Sequence, residues 1–287
     1  MNMETLFSRR LTPEEIKEKV RAFYDVGSPY YLEVWGQHIH DGYYITGRES
    51  KEEAQVNLTR LLAERAEIRA GDRILDVGCG MGGSSIWLTE NLRAVTAGIT
   101  ISPEQVEIAE RLARERRVDS SFQVMDAENM HLDQTFDVVW AVASMTHLRD
   151  QGSFVQAATR LLNRGGRFVV FDWMLGEDIA DAEGDQLIGR VSEGMLLSSL
   201  HAIATYADWF DEYGYRILYS EDITEHTRKT WDDVLVMARN PAVWRLVFRA
   251  TAEVRSGVLD FLKTISPMKR AMQQGKLISG AIVAEKI

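Results

Sequence analysis

The sequence predicts an α/β protein with a doubly wound, mostly parallel sheet of seven strands. In the central third of the chain, short apolar segments of strand length alternate with amphipathic segments of helix length. A glycine-rich turn at residues 78–83 follows the first of these strands. The length of 287 residues is long for one domain and short for two independent cores. This alternation implies a parallel sheet that helices cover on both faces.

The individual elements follow from local signals along the chain. Thr12 caps a first helix, Pro13 suits its first turn, and Glu15 completes a capping box. The segment 24–44 is irregular and rich in aromatic residues, and a long helical stretch over 230–263 is interrupted at 240–241. Further helices are predicted at 50–66, from the glycine-rich turn to 92, at 102–117 and at 150–163, and strands at 73–77, 94–99, 122–125, 136–142, 167–173, 215–219 and 277–284.

The composition argues against polyanionic partners and against a membrane span. Lysine and arginine total 33 against 43 acidic residues, and the resulting formal charge of −10 repels nucleic acids. No apolar run is long enough to cross a membrane. Residues 1–5 lack the pattern of a signal peptide, and the single cysteine, Cys79, excludes an internal disulfide. We therefore expect a cytoplasmic protein without nucleic-acid or membrane partners, and a homodimer stays an open alternative.

The glycine-rich turn has a spacing that indicates a particular class of ligand. Asp76, Gly78, Gly80 and Gly82 form an Asp-x-Gly-x-Gly-x-Gly pattern, and no Gly-Lys-Ser/Thr follows to hold phosphates. Glycine is needed in such a turn where the backbone approaches a ligand closely. A carboxylate at the turn suits a cationic or amino-bearing ligand and repels a pyrophosphate.

This turn resembles the first motif of the class I S-adenosylmethionine-dependent methyltransferases, which have a Rossmann-like fold. Four later segments also resemble the family in the right order, at 98–103, 125–128, 136–140 and 161–166. Where the family places an acid for the ribose hydroxyls, this sequence has Thr100, and Asp126 stands where the family contacts adenine. The resemblance implies S-adenosylmethionine as cofactor, held by Tyr24, Asp76, Gly78, Cys79, Gly80, Gly82, Thr100, Ile101, Gln105, Asp126, Ala127 and Ala141.

Two polar residues at neighbouring strand ends are the candidate catalytic pair. His147 follows the fourth predicted strand and Asp172 ends the fifth, at the edge where ligands bind in such sheets. A histidine takes a hydroxyl proton near neutral pH, and a carboxylate orients the ring. Natural-product sugar O-methyltransferases resemble the chain at both positions, whereas the glutamate that many relatives carry is replaced by Ala143. The alternative is that His147 caps the next helix and Asp172 is a solvated strand end.

The segment 35–44 resembles the opening of tocopherol C-methyltransferases and of sarcosine/dimethylglycine N-methyltransferases. By that likeness it folds over the cofactor, with Tyr24 near the sulfonium, where an aromatic face favours positive charge. His38, His40 and His147 lack the spacing of a zinc site, so no metal is expected. The residues predicted to bind the acceptor are Trp35, His38, His40, Tyr43, His147, Trp173 and Met195.

The predicted organisation is a covering segment at 1–66, a cofactor-binding core at 67–173 and 206–287, and an inserted helical cap at 174–205. The predicted activity is O- or C-methylation of a small secondary metabolite, such as a glycoside, phenol or isoprenoid. N-methylation of a small amine such as sarcosine, and a cofactor-binding protein without catalysis, are the alternatives that the sequence leaves open.

Overall fold

The computed structural model describes residues 12–177, 179, 182–249 and 251–287. The absence of a signal peptide was inferred from residues 1–5, which lie outside this range. So do the rest of the first 11 residues of the covering segment and three residues of the predicted cap, 178, 180 and 181.

The predicted fold class is confirmed by a single sheet of seven strands in the order β3-β2-β1-β4-β5-β7-β6. β1 lies between β2 and β4, so that Asp76 at its carboxyl end pairs with Gly98 and Trp140. β7 runs antiparallel between β5 and β6, and the other neighbouring pairs are parallel. The strands are β1 (Arg73–Val77), β2 (Val95–Thr100), β3 (Ser120–Val124), β4 (Phe136–Val142), β5 (Leu162–Leu175), β6 (Tyr215–Asp222) and β7 (Leu277–Lys286).

Helices cover both faces of the sheet and form a separate layer beyond the end of β5. They are α1 (Pro13–Val34), α2 (Lys51–Arg65), α3 (Gly83–Leu92), α4 (Pro103–Arg116), α5 (Gln151–Leu161), α6 (Ala182–Met195), α7 (Ile203–Glu212), α8 (Thr224–Thr227), α9 (Thr230–Ala238), α10 (Pro241–Arg249) and α11 (Ala252–Gln273), with 3₁₀ turns at Ala127–Asn129 and Met145–His147.

Side-chain alternation along the strands divides the core into two layers. On β4, Val139 and Ala141 face a cluster that includes α5 and α7, whereas Val138 and Trp140 face a cluster that includes α2. A third apolar cluster lies outside the sheet, where α6, α9 and α11 pack around Trp35. That third layer forms one wall of the site described below.

The structure differs from the predicted elements where tertiary packing overrides local signals. The predicted capping box of α1 is present, with Glu15 N donating to Thr12 Oγ1 at 3.2 Å. However, α1 continues through Pro29 to Val34, because Tyr31 and Val34 pack against the third cluster. β5 extends from 162 to 175 rather than 167 to 173, since it pairs with β7 as far as Leu175.

The glycine-rich turn approaches its neighbours closely enough to give a stability test. Gly82 has φ +77°, and a Cβ there would lie 2.7 Å from Phe122 Cζ. Gly47 also has φ +77°, but nothing lies within 4 Å of its Cβ position. We expect Gly47→Ala to lower the free energy of unfolding by about 1 kcal/mol through backbone strain alone, and Gly82→Ala by about 2–4 kcal/mol because overpacking adds to that strain. Urea unfolding of both variants checks this, and equal losses would contradict the packing described for Gly82.

Candidate active site

The turn after β1 is held in place by the two neighbouring strands. Gly78 N and Cys79 N donate to Ile99 O at 2.8 and 3.0 Å, which ties the turn to β2. Gly78 has φ +73°, and a Cβ there would lie 2.4 Å from Ser144 Cβ, so the segment after β4 passes directly over it. Only glycine fits at this position, as the sequence pattern predicted.

A cavity opens between this turn and α1, and we call it the loop cavity. Asp76 is buried beside it, where its Oδ2 accepts from Ser85 Oγ at 2.6 Å. Burial raises the pKa of the Asp76 carboxyl to about 7. The residues predicted to hold the cofactor that line this cavity are Tyr24, Asp76, Gly78, Cys79, Gly80, Thr100, Ile101, Gln105, Asp126 and Ala127.

Two predicted cofactor residues do not line the loop cavity. Ala141 is fully buried in the core between β4 and α5, because alternation along β4 turns its side chain away from the cavity. Gly82 caps α3 and packs against Phe122 instead. Val142 and Ala143, the next residues along the chain, line the cavity.

The polar wall of the loop cavity includes a cation that the sequence analysis missed. Lys17 of α1 forms ion pairs with Glu128 and, at 2.9 Å, with Asp126 Oδ2. Thr100 Oγ1 donates to Gln105 Oε1 at 2.7 Å, so these two side chains form one polar unit. Lys17 lies more than a hundred residues from its partners in sequence, and no local pattern indicated the contact.

A second, larger cavity of about 850 Å³ adjoins the loop cavity along α1 and the segment after it, and we call it the aromatic cavity. Of the residues predicted to bind the acceptor, Trp35, His40, His147, Trp173 and Met195 line it. His38 lines the loop cavity instead. Tyr43 lines neither, because its ring stacks on His226 with centroids 4.4 Å apart. The other aromatic lining residues are Phe23, Tyr24, Tyr31, Phe171, Trp231 and Phe261.

The two cavities share part of their walls, and we call this shared part the neck. Ala143, in the neck, has φ +56°, a left-handed conformation that costs an alanine about 1 kcal/mol. The neck consists of Val20, Tyr24, Ile39, His40, Ala143 and His147.

His147 presents a free lone pair in the neck. Its Nδ1 lies 3.2 Å from the carbonyl oxygen of Leu196, and a carbonyl can only accept, so Nδ1 carries the proton and donates. Nε2 of the neutral ring therefore has the lone pair. Burial lowers the pKa of His147 below 6.5, which keeps the ring neutral at neutral pH. The ring meets that of Tyr24 edge-on, with centroids 6.2 Å apart.

Asp172 is bound to the backbone beside His147 rather than to its ring. Its carboxylate accepts from Thr146 N at 3.1 Å, from Thr146 Oγ1 at 3.0 Å and from Trp173 N at 2.8 Å. Burial raises its pKa to about 6. The prediction that Asp172 orients the His147 ring directly is therefore wrong: the Leu196 carbonyl contacts the ring, and Asp172 fixes the 3₁₀ turn that carries it. The alternative prediction, that Asp172 is a solvated strand end, is also wrong, because Asp172 is buried.

Asp41 is a buried carboxyl in the aromatic cavity that the sequence analysis missed. Its Oδ2 accepts from Trp173 Nε1 at 2.9 Å, so Trp173 connects Asp41 to Asp172. Burial raises the pKa of the Asp41 carboxyl to about 7. In the sequence it lies in an irregular segment without periodicity, so nothing indicated which way its side chain points.

In the described parts of the chain, no group of three histidine, cysteine or acidic side chains is arranged to hold a metal ion. Three histidines, His38, His40 and His147, were examined in the sequence as possible zinc ligands. Two of them contact each other, with His38 Nδ1 3.0 Å from His40 Nε2.

Residues 75–170 match the family described as "Methyltransferase domain". The 27-O-demethylrifamycin SV methyltransferase of Amycolatopsis mediterranei is 34% identical over 224 residues, which cover 77% of this chain and 80% of the relative. The chain belongs to the class I S-adenosylmethionine-dependent methyltransferases of small molecules.

A further relative is similar over most of the chain, and a solved structure shares the fold. The methyltransferase is 25% identical to the chloroplastic tocopherol O-methyltransferase of Arabidopsis thaliana, over 95% of this chain and 83% of that one. The crystal structure of the mycolic acid cyclopropane synthase CmaA1, complexed with SAH and CTAB, superposes with a TM-score of 0.80 at 17% identity, covering 94% of this chain and 98% of that one. The enzyme's cofactor is S-adenosylmethionine. Across the residues that the structure describes, no helix is long and apolar enough to cross a membrane.

The raised pKa of Asp41 predicts a pH-dependent stability effect. An ionised carboxylate in this site costs free energy, so the stability that Asp41 contributes is present below about pH 4 and is lost as the pH rises towards 7. Asp41→Asn keeps an acceptor for Trp173 Nε1 and removes that cost. We expect the gain in unfolding free energy over wild type to be about 2 kcal/mol larger at pH 8 than at pH 5.

Urea unfolding of the cofactor-free protein at the two pH values measures this difference. Asp133→Asn, which neutralises an exposed carboxylate, is the matched control and should show no such change. A pH-independent effect of Asp41→Asn would contradict the burial described for this group.

Proposed function

We propose that this methyltransferase transfers a methyl group to a hydroxyl oxygen of a largely apolar secondary metabolite, with His147 as the general base. The observation that carries the proposal is the free Nε2 lone pair of His147 in the neck, where the two cavities meet. Bound S-adenosylmethionine supplies an electrophilic methyl group on its sulfonium sulfur. His147 Nε2 would accept the proton of the acceptor hydroxyl while the hydroxyl oxygen forms a bond to the methyl carbon and the carbon–sulfur bond breaks, which leaves the demethylated cofactor.

The cofactor fits the loop cavity by the chemistry of its walls. Asp126 and the Thr100–Gln105 unit offer hydrogen-bonding groups for a nucleoside, and the turn from Gly78 to Gly80 offers backbone groups that no side chain obstructs. Tyr24 lies in the neck, where its ring face suits a positive charge. We assign the loop cavity to the cofactor and the aromatic cavity to the acceptor.

The positioning of His147 depends on residues that do not touch the reacting atoms. Asp172 holds both the backbone N–H and the hydroxyl of Thr146, which immediately precedes His147. The Leu196 carbonyl, just after α6, sets the tautomer of the ring. The helical cap that includes α6 thus contributes to the base as well as covering the acceptor, and α1 together with 35–44 covers the cofactor.

The walls of the aromatic cavity support an uncharged acceptor better than an amino acid such as sarcosine. Trp35, Trp173 and Trp231 supply broad apolar surfaces. Among the residues that the structure describes, the positively charged ones that line this cavity are Lys19, Arg190 and Lys263. All three are exposed, so none forms a buried partner for an acceptor carboxylate. The same aromatic walls would stabilise a cation formed on carbon, which makes C-methylation of an isoprenoid the second candidate.

A screen for the acceptor tests the proposed reaction. The purified enzyme is incubated with S-adenosylmethionine and, in separate assays, with an apolar alcohol, a phenol, a macrolide glycoside, an isoprenoid alkene and sarcosine. Release of the demethylated cofactor is measured, and NMR locates the methyl group. We expect methoxy products from hydroxyl acceptors. Products methylated only on carbon or nitrogen would overturn O-methylation.

The role of His147 predicts a large loss of turnover on replacement. With the best acceptor from the screen, we expect His147→Ala and His147→Gln to lower kcat by about 100-fold or more, because general-base assistance is lost. The affinity for the demethylated cofactor should change little. Because burial lowers the pKa of His147, wild-type kcat should fall on acidification at a lower pH than an ordinary histidine, with a pKa of about 6.5, would give. A fully active His147→Gln enzyme would rule out this base.

Asp172→Asn tests the positioning role separately. The amide nitrogen cannot accept from Thr146 or from Trp173 N, so the turn that carries His147 shifts. We expect kcat to fall by about 10-fold while cofactor affinity is retained, in line with the loss of hydrogen bonds to a charged group. Stopped turnover together with lost cofactor binding would instead indicate a folding defect, and unchanged kcat would contradict the positioning role.

A further inference from the structure

A pair of histidines in the loop cavity is not used by the proposed reaction. His38 and His40 lie in the segment that follows α1, and both line the loop cavity. His38 Nδ1 lies 3.0 Å from His40 Nε2, and His40 Nδ1 lies 2.8 Å from the backbone oxygen of Asp41. These two contacts form a chain of hydrogen bonds that ends on a backbone carbonyl oxygen, which can only accept.

The fixed end determines the proton on every ring nitrogen in the chain. The Asp41 carbonyl can only accept, so His40 Nδ1 carries a proton and His40 Nε2 has the lone pair. His38 Nδ1 must then donate to that lone pair, which leaves His38 Nε2 as an acceptor without a proton. Burial lowers the pKa of both rings, that of His40 to about 4, so both are neutral at neutral pH.

The backbone around the pair holds this arrangement rigidly. Gln55 Nε2 donates to His38 O at 2.7 Å and to His40 O at 3.1 Å. The His38 ring also lies against Gly83, the first residue of α3, where an added Cβ would be 2.8 Å from Nδ1. His38 Nε2 makes no hydrogen bond within the described part of the chain, and the ring lines the loop cavity.

We propose that His38 Nε2 accepts a hydrogen bond from the α-ammonium group of the cofactor's amino-acid tail, and that His40 fixes His38 in the tautomer that permits it. An ammonium group only donates, so it matches a bare lone pair, whereas a carboxylate would oppose it. The first turn of α3 beside His38 favours the tail carboxylate, because the positive end of the helix dipole lies there and no side chain of the N-cap residue, Gly82, caps it. His38 and α3 together thus recognise the two charges of the tail.

This assignment separates His38 from the acceptor site and does not depend on which acceptor is methylated. The rival acceptor for the ammonium is Asp76, one oxygen of which is already bound by Ser85 Oγ. If Asp76 alone held the ammonium, replacing His38 would leave cofactor affinity unchanged. The two possibilities are therefore distinguished by binding measurements.

The experiment is calorimetric titration of the full chain with S-adenosylhomocysteine and with three analogues. The first analogue is 5′-methylthioadenosine, which lacks the tail, and the other two lack only the amino group or only the carboxyl group. The variants are His38→Ala and His38→Phe, the latter keeping an aromatic ring without a lone pair. His131→Ala, which removes an exposed histidine, is the control.

We expect both His38 variants to bind S-adenosylhomocysteine and the decarboxylated analogue about 10-fold or more weakly than wild type, as for loss of a hydrogen bond to a charged group. Their affinity for 5′-methylthioadenosine and for the deaminated analogue should equal that of wild type, which also shows that they fold. His40→Phe should give a smaller loss for the same two ligands, because His38 keeps its place but not its fixed tautomer. Equal weakening of all four ligands, or sensitivity of the deaminated analogue, would overturn the proposal.

Discussion

Close backbone contact at the carboxyl ends of β1, β2 and β4 determines the shape of the whole site. A Cβ on Gly78 would meet Ser144 Cβ at 2.4 Å, and one on Gly98 would meet Phe122 Cδ1 at 2.6 Å and Cys79 Sγ at 2.8 Å. Because no side chain fits at Gly78 or Gly98, neighbouring residues pack directly against the backbone there and fix its position. The cover that α1 contributes therefore lies over a rigid surface.

The cover is joined to the core by polar contacts at the rim of that floor. Ser102 Oγ donates to Asp25 Oδ1 at 2.6 Å, and Lys17 binds Asp126 and Glu128. Both contacts connect α1 to segments that line the loop cavity, so the stability of the cover and the geometry of the loop cavity depend on the same residues. The cover also brings Tyr24 and His40 into the neck.

The sequence predicts those parts of the fold that follow from local patterns. β1 and β4 have the predicted bounds, and the cap at Thr12 is where the residues indicate. The sequence fails where orientation depends on distant partners. Ala141 was predicted to contact the cofactor, but the alternation along β4 points its side chain into the core. Tyr43 was predicted to bind the acceptor, but its ring stacks on His226, which follows β6. The contacts of Asp41 and Lys17 could not be predicted, because their partners, Trp173 and Asp126, are far away in the sequence.

We propose that two connected cavities hold the cofactor and the acceptor on opposite sides of a neck that contains His147. A crystal structure of the enzyme with S-adenosylhomocysteine tests this most directly. We predict adenine beside Asp126, the tail beneath Gly78 and Gly80, and the sulfur atom facing the aromatic cavity between Tyr24, Ala143 and His147. A ligand bound outside the loop cavity, or a sulfur atom directed away from the neck, would contradict the account.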